Sequence, residues 1–186
     1  MSPPDGPQRP SVSVSPSAEM MEGDSVNLTC STDANPAANY TWYKENGTSD
    51  PRLLSEEPQL VFSSIQSSDS GRYSCAAENQ LGRKRSDFIS IDVKYALKIS
   101  FVSMSSSGDI MKGSSVTLNC STDSNPAANY TWYKKNGTSD SRLLSEGPQL
   151  VFSSIQSSDS GRYSCAAENQ LGRKTSDFIS IDVKCE

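Results

Sequence analysis

Histidine is missing from the sequence altogether. Its absence removes Ser-His-Asp and Cys-His catalysis, histidine-ligated zinc and any imidazole pH switch. No run of about 18 apolar residues occurs, so no segment reads as a membrane-spanning helix. Apolar residues are scarce at 34% and mean hydropathy is -0.56. Positive charge is in deficit as well: 17 Lys and Arg face 22 Asp and Glu, a net charge of -5 and a pI near 4.8. Nucleic acid selects basic faces, so this balance argues against a nucleic-acid partner. The paired acids Glu56-Glu57 have no second acid pair beside them, and no constellation of acid, base and nucleophile suggests an enzyme. No residue cluster suggests a metal or a cofactor.

What the sequence does hold is a repeat. Cys30, Trp42, Cys75 and Gly82 recur 90 residues later as Cys120, Trp132, Cys165 and Gly172. Between 30–94 and 120–184, 60 of 65 positions are identical. The exceptions are Ala34/Ser124, Glu45/Lys135, Pro51/Ser141, Glu57/Gly147 and Arg85/Thr175. Cores tolerate many apolar exchanges, so packing alone does not demand such identity; a recent duplication does. A unit of 90 residues is large enough to enclose its own core, which predicts two independent beads rather than a solenoid. The expected division is a Pro-rich tail over 1–10, a first domain over 11–95 and a second over 96–186.

Each unit carries the period of strands. Val26, Leu28 and Cys30 alternate with Asn27 and Thr29, which turns the cysteine inward. Tyr40 to Lys44 reads as a second strand with Trp42 inward, and Asn46-Gly47 is a tight-turn dipeptide. Arg52 to Leu54 and Gln59 to Ser64 follow, then a polar corner over 66–71. Tyr73 to Glu78 and Arg85 to Val93 are expected to form the last hairpin through Asn79-Gln80-Leu81-Gly82. Ser11 to Ser15, bracketed by Pro10 and Pro16, suits an edge strand. Seven short strands without helical periodicity predict an all-β chain.

The order Cys30, Trp42, Asp69-x-Gly71-x-Tyr73-x-Cys75, present twice, resembles the immunoglobulin superfamily. The resemblance implies two tandem immunoglobulin-like antiparallel β-sandwiches of C2-set type. It further implies that Cys30 bridges Cys75 and Cys120 bridges Cys165, with a tryptophan packed on each bridge and a tyrosine hydrogen-bonded at the corner. Such bridges persist outside the reducing cytosol. Two buried free thiols per unit, as in cytosolic structural arrays, are the alternative. Cys185 is left over, and is read as a truncation point, an interchain link or an exposed thiol. Asn35 to Lys44 with Ser64 to Gly71 resembles the membrane-distant spacer domains of siglecs, including fish B-cell sialic-acid-binding receptors, and more distantly vascular cell adhesion molecule. In siglecs the lectin site lies in a variable-type domain that this stretch does not match.

Six Asn-x-Ser/Thr sequons stand at Asn27, Asn39, Asn46, Asn119, Asn129 and Asn136, and strand parity turns those in strands outward. With 37 serines, chance matches are common; Asn119, followed by Cys120, is the weakest. Met1-Ser2-Pro3-Pro4 shows no apolar leader, so an extracellular chain is expected to be part of a longer precursor whose anchor lies elsewhere. Arg83-Lys84-Arg85 is a candidate contact for an acidic glycan, against the plain reading of solvated charges guarding an edge strand. Asp50 and Asp140 are candidate integrin contacts, against ordinary turn chemistry. Asp69 with Arg72, and Asp159 with Arg162, read as corner structure. The expected function is an extracellular spacer of a siglec-like immune-cell receptor, with surface proteins or glycans as partners. A direct ligand-binding module is the alternative, and a cytosolic structural array a third.

Overall fold

The computed structural model describes residues 2–17, 19–45, 47, 50–98, 100–137 and 140–185; of Asn136 and Asp140 only the backbone is described. The chain divides into two compact units, Met1–Lys94 and Tyr95–Glu186, and each is an antiparallel β-sandwich. In the first, Val26–Ser31 lies between Ser11–Ser15 and Gln59–Phe62 in the smaller sheet. The larger sheet runs Arg52–Ser55, Asn39–Lys44, Gly71–Asn79, Gly82–Arg85, with Ile89–Ile91 also paired to Gly71–Asn79. The second unit repeats this with Ser100–Met104, Val116–Thr122 and Gln149–Phe152 facing Asp140–Glu146, Asn129–Asn136, Gly161–Asn169 and Gly172–Thr175.

The alternation along each strand decides what is enclosed. Val26, Leu28, Cys30, Trp42, Tyr73 and Cys75 are buried together, and Val116, Leu118, Cys120, Trp132, Tyr163 and Cys165 form the matching core. Both bridges are closed across the sheets, Cys30–Cys75 and Cys120–Cys165, each with Cα atoms 6.3 Å apart. Cys185 is free and exposed.

Three local features differ from the sequence reading. The first is the last strand, expected unbroken from Arg85 to Val93. It is instead interrupted after Arg85 and resumes at Ile89–Ile91 and Val93–Lys94. The Ser86 hydroxyl replaces a backbone acceptor at the break, taking the Cys75 N–H at 2.9 Å, while Ser86 N–H donates to the Cys75 carbonyl at 2.8 Å. The second is a pair of residues, Met20–Met21, that runs parallel to Val93–Lys94 as a separate two-stranded sheet.

The third concerns residues 2–10, read as a tail. They are a strap fastened to the first unit. Asp5 and Asn35 exchange both backbone hydrogen bonds at 2.7 and 3.0 Å, Gln8 N–H donates to the Asp33 carbonyl at 3.1 Å, and Arg9 pairs with Asp87. Tyr95 and Lys98 make the same bonds to Asn125 and Asp123 in the second unit. Polar and proline side chains left no period to read here; the strap is held by its backbone.

Candidate functional site

The outer face of the first unit's larger sheet brings together three of the candidate residues, Asn39, Arg83 and Arg85. Cross-strand register builds it in rows: Asn39 beside Glu78 and Arg83, Thr41 beside Ala76 and Arg85, Tyr43 beside Ser74. Alternation puts Arg83 and Arg85 on this face and Lys84, opposite Ala77, on the other. The three-residue basic cluster of the sequence is thus split: side chains one apart on a strand cannot share a face. Arg83 Nη2 donates to the Tyr43 hydroxyl at 2.6 Å, and the Arg83 and Arg85 guanidiniums lie 5.9 and 4.7 Å from the Tyr43 ring centre. Ser74 and Ala76, paired in register with Tyr43 and Arg85, are buried although they point away from the core. The Ser74 hydroxyl has no hydrogen-bond partner. No carboxylate among the described residues lies within ion-pair distance of Arg83 or Arg85, so the plate is both aromatic and cationic.

One row along, Arg72 is neutralised: it meets Glu45 at 3.0 Å and stacks 4.3 Å from the Phe88 ring. In the second unit the cations are placed differently. Arg173 donates to the Tyr133 hydroxyl at 2.9 Å and approaches Glu168 at 3.6 Å, and Thr175 stands where Arg85 does. Lys135 replaces Glu45, and Lys135 and Arg162 sit 5.3 and 4.7 Å from the Phe178 ring. Tyr43 and Lys135 escaped the sequence reading because only cross-strand register brings them to the arginines, and Phe88 and Phe178 because they lie in the break that precedes Ile89–Ile91 and Ile179–Ile181.

Asp69 and Asp159 belong to the fold. Each carboxylate accepts the N–H of Gln66 or Gln156 at 2.8 Å, and each backbone carbonyl accepts the hydroxyl of Tyr73 or Tyr163. Burial, with a contribution from the neighbouring aspartate, pushes both phenols up to about 12.

The sequons fall into distinct settings. Asn39 and Asn129 are exposed at the starts of their strands. Asn27 faces out of the smaller sheet between Ser15 and Val61, yet its amide oxygen is enclosed without a partner. Asn119 accepts the Gln149 side-chain N–H at 2.8 Å. Asn46 and the side chains of Asn136 and Asp140 lie outside the described residues. Asp50 is exposed, and Ser49 before it is likewise outside them.

The family model for the immunoglobulin domain matches residues 9–93 and 100–183, nearly the whole chain. The chain therefore belongs to the immunoglobulin superfamily. Among relatives, it is 34% identical over 161 residues to the B-cell receptor CD22 of Mus musculus, covering 86% of this chain and 18% of that protein. It is 33% identical over 181 residues to vascular cell adhesion protein 1 of Canis lupus familiaris, covering 96% and 24%. The human myelin-associated glycoprotein is 30% identical over 172 residues, covering 92% and 27%. Its kinship is with adhesion and receptor proteins, siglec-like ones among them, and it spans only about a fifth to a quarter of their length. Sidekick-1 immunoglobulin domains 1-5 share the fold at a TM-score of 0.66 and 22% identity, covering 97% of this chain and 38% of that one.

Proposed function

We propose that the two units are a glycosylated spacer in the ectodomain of a siglec-like immune-cell receptor, carrying a recognition head away from the membrane on its extracellular side. The supporting observation is how the chain leaves one unit and enters the next. The Lys94 carbonyl accepts the Glu22 N–H at 2.8 Å within the first unit. The very next residue, Tyr95, donates its N–H to the Asn125 carbonyl at 2.7 Å within the second. Bonds that belong to the two units thus fall on consecutive residues, so nearly all of the chain is committed to folded domains, which suits a part whose work is to span distance. The adhesion and receptor relatives support the same setting, and the exposed Asn39 and Asn129 supply outward attachment points for glycans.

Two measurements test this. Intact-mass analysis of the secreted chain, with and without glycosidase, is expected to show sugar and one free thiol; five thiols and no sugar would favour a cytosolic array. On cells, a lectin head displayed on these units is expected to reach its ligand better than the head anchored directly. An unrelated pair of sandwich domains should restore the reach equally well; if only this pair does so, the units bind ligand themselves.

That second reading has its own observation, the plate of Arg83, Arg85 and Tyr43. Two guanidiniums without a carboxylate suit an acidic sugar. Binding on a glycan array that disappears in Arg83→Ala and Arg85→Ala would establish it.

A further inference from the structure

The two units carry opposite charge at one corner of an otherwise repeated structure. The segment Ser67-Ser68-Asp69-Ser70-Gly71-Arg72 recurs residue for residue at 157–162. In the first unit an acid holds each end: Glu22 accepts the Ser67 N–H at 3.1 Å, and Glu45 meets Arg72 at 3.0 Å. Asp24 adjoins them, its carbonyl accepting the Ile65 N–H at 2.8 Å. The second unit has Lys112, Ser114 and Lys135 at these three positions. Three negative charges have become two positive ones while the backbone course is kept.

The basic corner also offers relief and apolar surface. Lys112 lines a groove of about 440 Å³ with Met111, Gly113, Gln156 and Cys185. Lys135 and Arg162 flank the Phe178 ring, and Met111 and Phe178 are 37% and 40% exposed. No carboxylate among the described residues lies within ion-pair distance of Lys112, Lys135 or Arg162. Exposed aromatic, methionine and arginine side chains are the types that interfaces concentrate.

Charge over the whole chain names an occupant. Residues 1–94 hold thirteen acids and eight bases, and residues 95–186 hold nine of each, so the full -5 resides in the first unit. We infer that the Lys112–Lys135–Arg162 corner of the second unit docks a second copy of this chain through that copy's Glu22–Asp24–Glu45 corner. The two surfaces are built on the same backbone with the sign inverted at Glu22/Lys112 and Glu45/Lys135, around an arginine, Arg72 or Arg162, that both keep, and every molecule presents both. Each contact pairs unlike corners, so association either closes reciprocally into a two-fold dimer or continues along a row of receptors. Charge steers such encounters and salt screens them.

Sedimentation velocity of the secreted full chain, carrying Cys185→Ser to keep covalent dimers out, tests the inference. At low salt the average mass is expected to rise with concentration, and at high salt to return to that of the monomer. Lys112→Glu with Lys135→Glu should weaken association about tenfold or more, since like charges then face each other. Glu22→Lys with Glu45→Lys should do the same. Each change installs the residue that the other unit carries at the same place, so folding has a precedent. The fourfold exchange moves the acidic corner to the second unit and the basic one to the first, and should restore association. A monomer at every concentration in low salt overturns the inference. So does undiminished association in either double variant, or a fourfold exchange no better than the doubles.

Discussion

The indole N–H of Trp132 donates to the carbonyl of Gly147 at 3.1 Å, whereas Trp42, equally buried in the first unit, has no partner for its own. One of the five differences between the repeats accounts for this. Gly147 takes φ of +112°, a conformation that side chains resist, and its N–H bonds the Tyr130 carbonyl at 2.9 Å. Glu57 occupies that position in the first unit. An unpaired buried donor costs about 1–3 kcal/mol, and glycine gives back up to about 1 kcal/mol through the freedom of the unfolded chain. Glu57→Gly is therefore expected to stabilise the first unit by about 1 kcal/mol. Gly147→Glu should destabilise the second by at least as much. Separate guanidinium transitions of the two units are the measurement; an unchanged first midpoint in Glu57→Gly would refute the account.

The tyrosine corners give the pair a defined response to alkali. Tyr73 and Tyr163 titrate at about 12 in the folded chain, above the ordinary phenol value of 10.0. The folded state thus keeps a proton that the unfolded state releases. Stability from these two groups is complete below pH 10 and falls as pH rises from 10 towards 12. Tyr73→Phe and Tyr163→Phe are expected to remove that alkaline loss. Each should also cost about 1–2 kcal/mol at neutral pH, the value of a buried hydrogen bond to the Asp69 or Asp159 carbonyl. Thermal melts between pH 7 and 12 would show both effects.

How much of this was readable beforehand follows from what each feature depends on. Strand alternation is local, so the inward Cys30 and Trp42 and the all-β class could be read directly from neighbouring residues. The pairing of the cysteines came from resemblance, since spacing alone leaves the connectivity open. The break at Ser86 was hidden because it rests on one hydroxyl reaching the amide of a residue eleven positions away. The strap at Asp5 to Gln8 escaped because backbone bonds leave no side-chain signature. The candidate face was half legible: Arg83 and Arg85 were evident, but Tyr43 joins them only through a register across two strands. The inverted corner was present in the sequence as Glu45/Lys135, without a sign that Glu22 and Lys112 share the place.

Glycan occupancy should follow the settings of the asparagines. Glycosylation requires a side-chain amide that an enzyme and a sugar can both reach. Asn39 and Asn129 meet that condition, and glycopeptide mass spectrometry is expected to find them occupied. Asn119 is engaged by Gln149 and precedes the bridged Cys120, so it is expected to be bare. Asn27, its amide oxygen enclosed in the smaller sheet, should be modified far less than Asn39. Sugar at Asn119, or none at Asn39, would contradict the ordering.

The two bridges should dominate the stability of both units. Each spans 45 residues of sequence. A loop of that length removes about 4 kcal/mol of denatured-state freedom in the chain-entropy treatment. Small sandwiches are only about 5–15 kcal/mol stable in all, so losing the bridge consumes a large share of the margin. Reduction under denaturing conditions, followed by thiol blocking and refolding, is expected to lower both unfolding midpoints together. Blocking Cys185 alone should leave them unmoved, since that thiol is exposed and unbridged. Because Trp42 and Trp132 are buried in the same cores as the bridges, tryptophan fluorescence reports the loss directly. Midpoints that stay in place after complete reduction would mean that packing around the indoles, and not the covalent link, holds the sheets together.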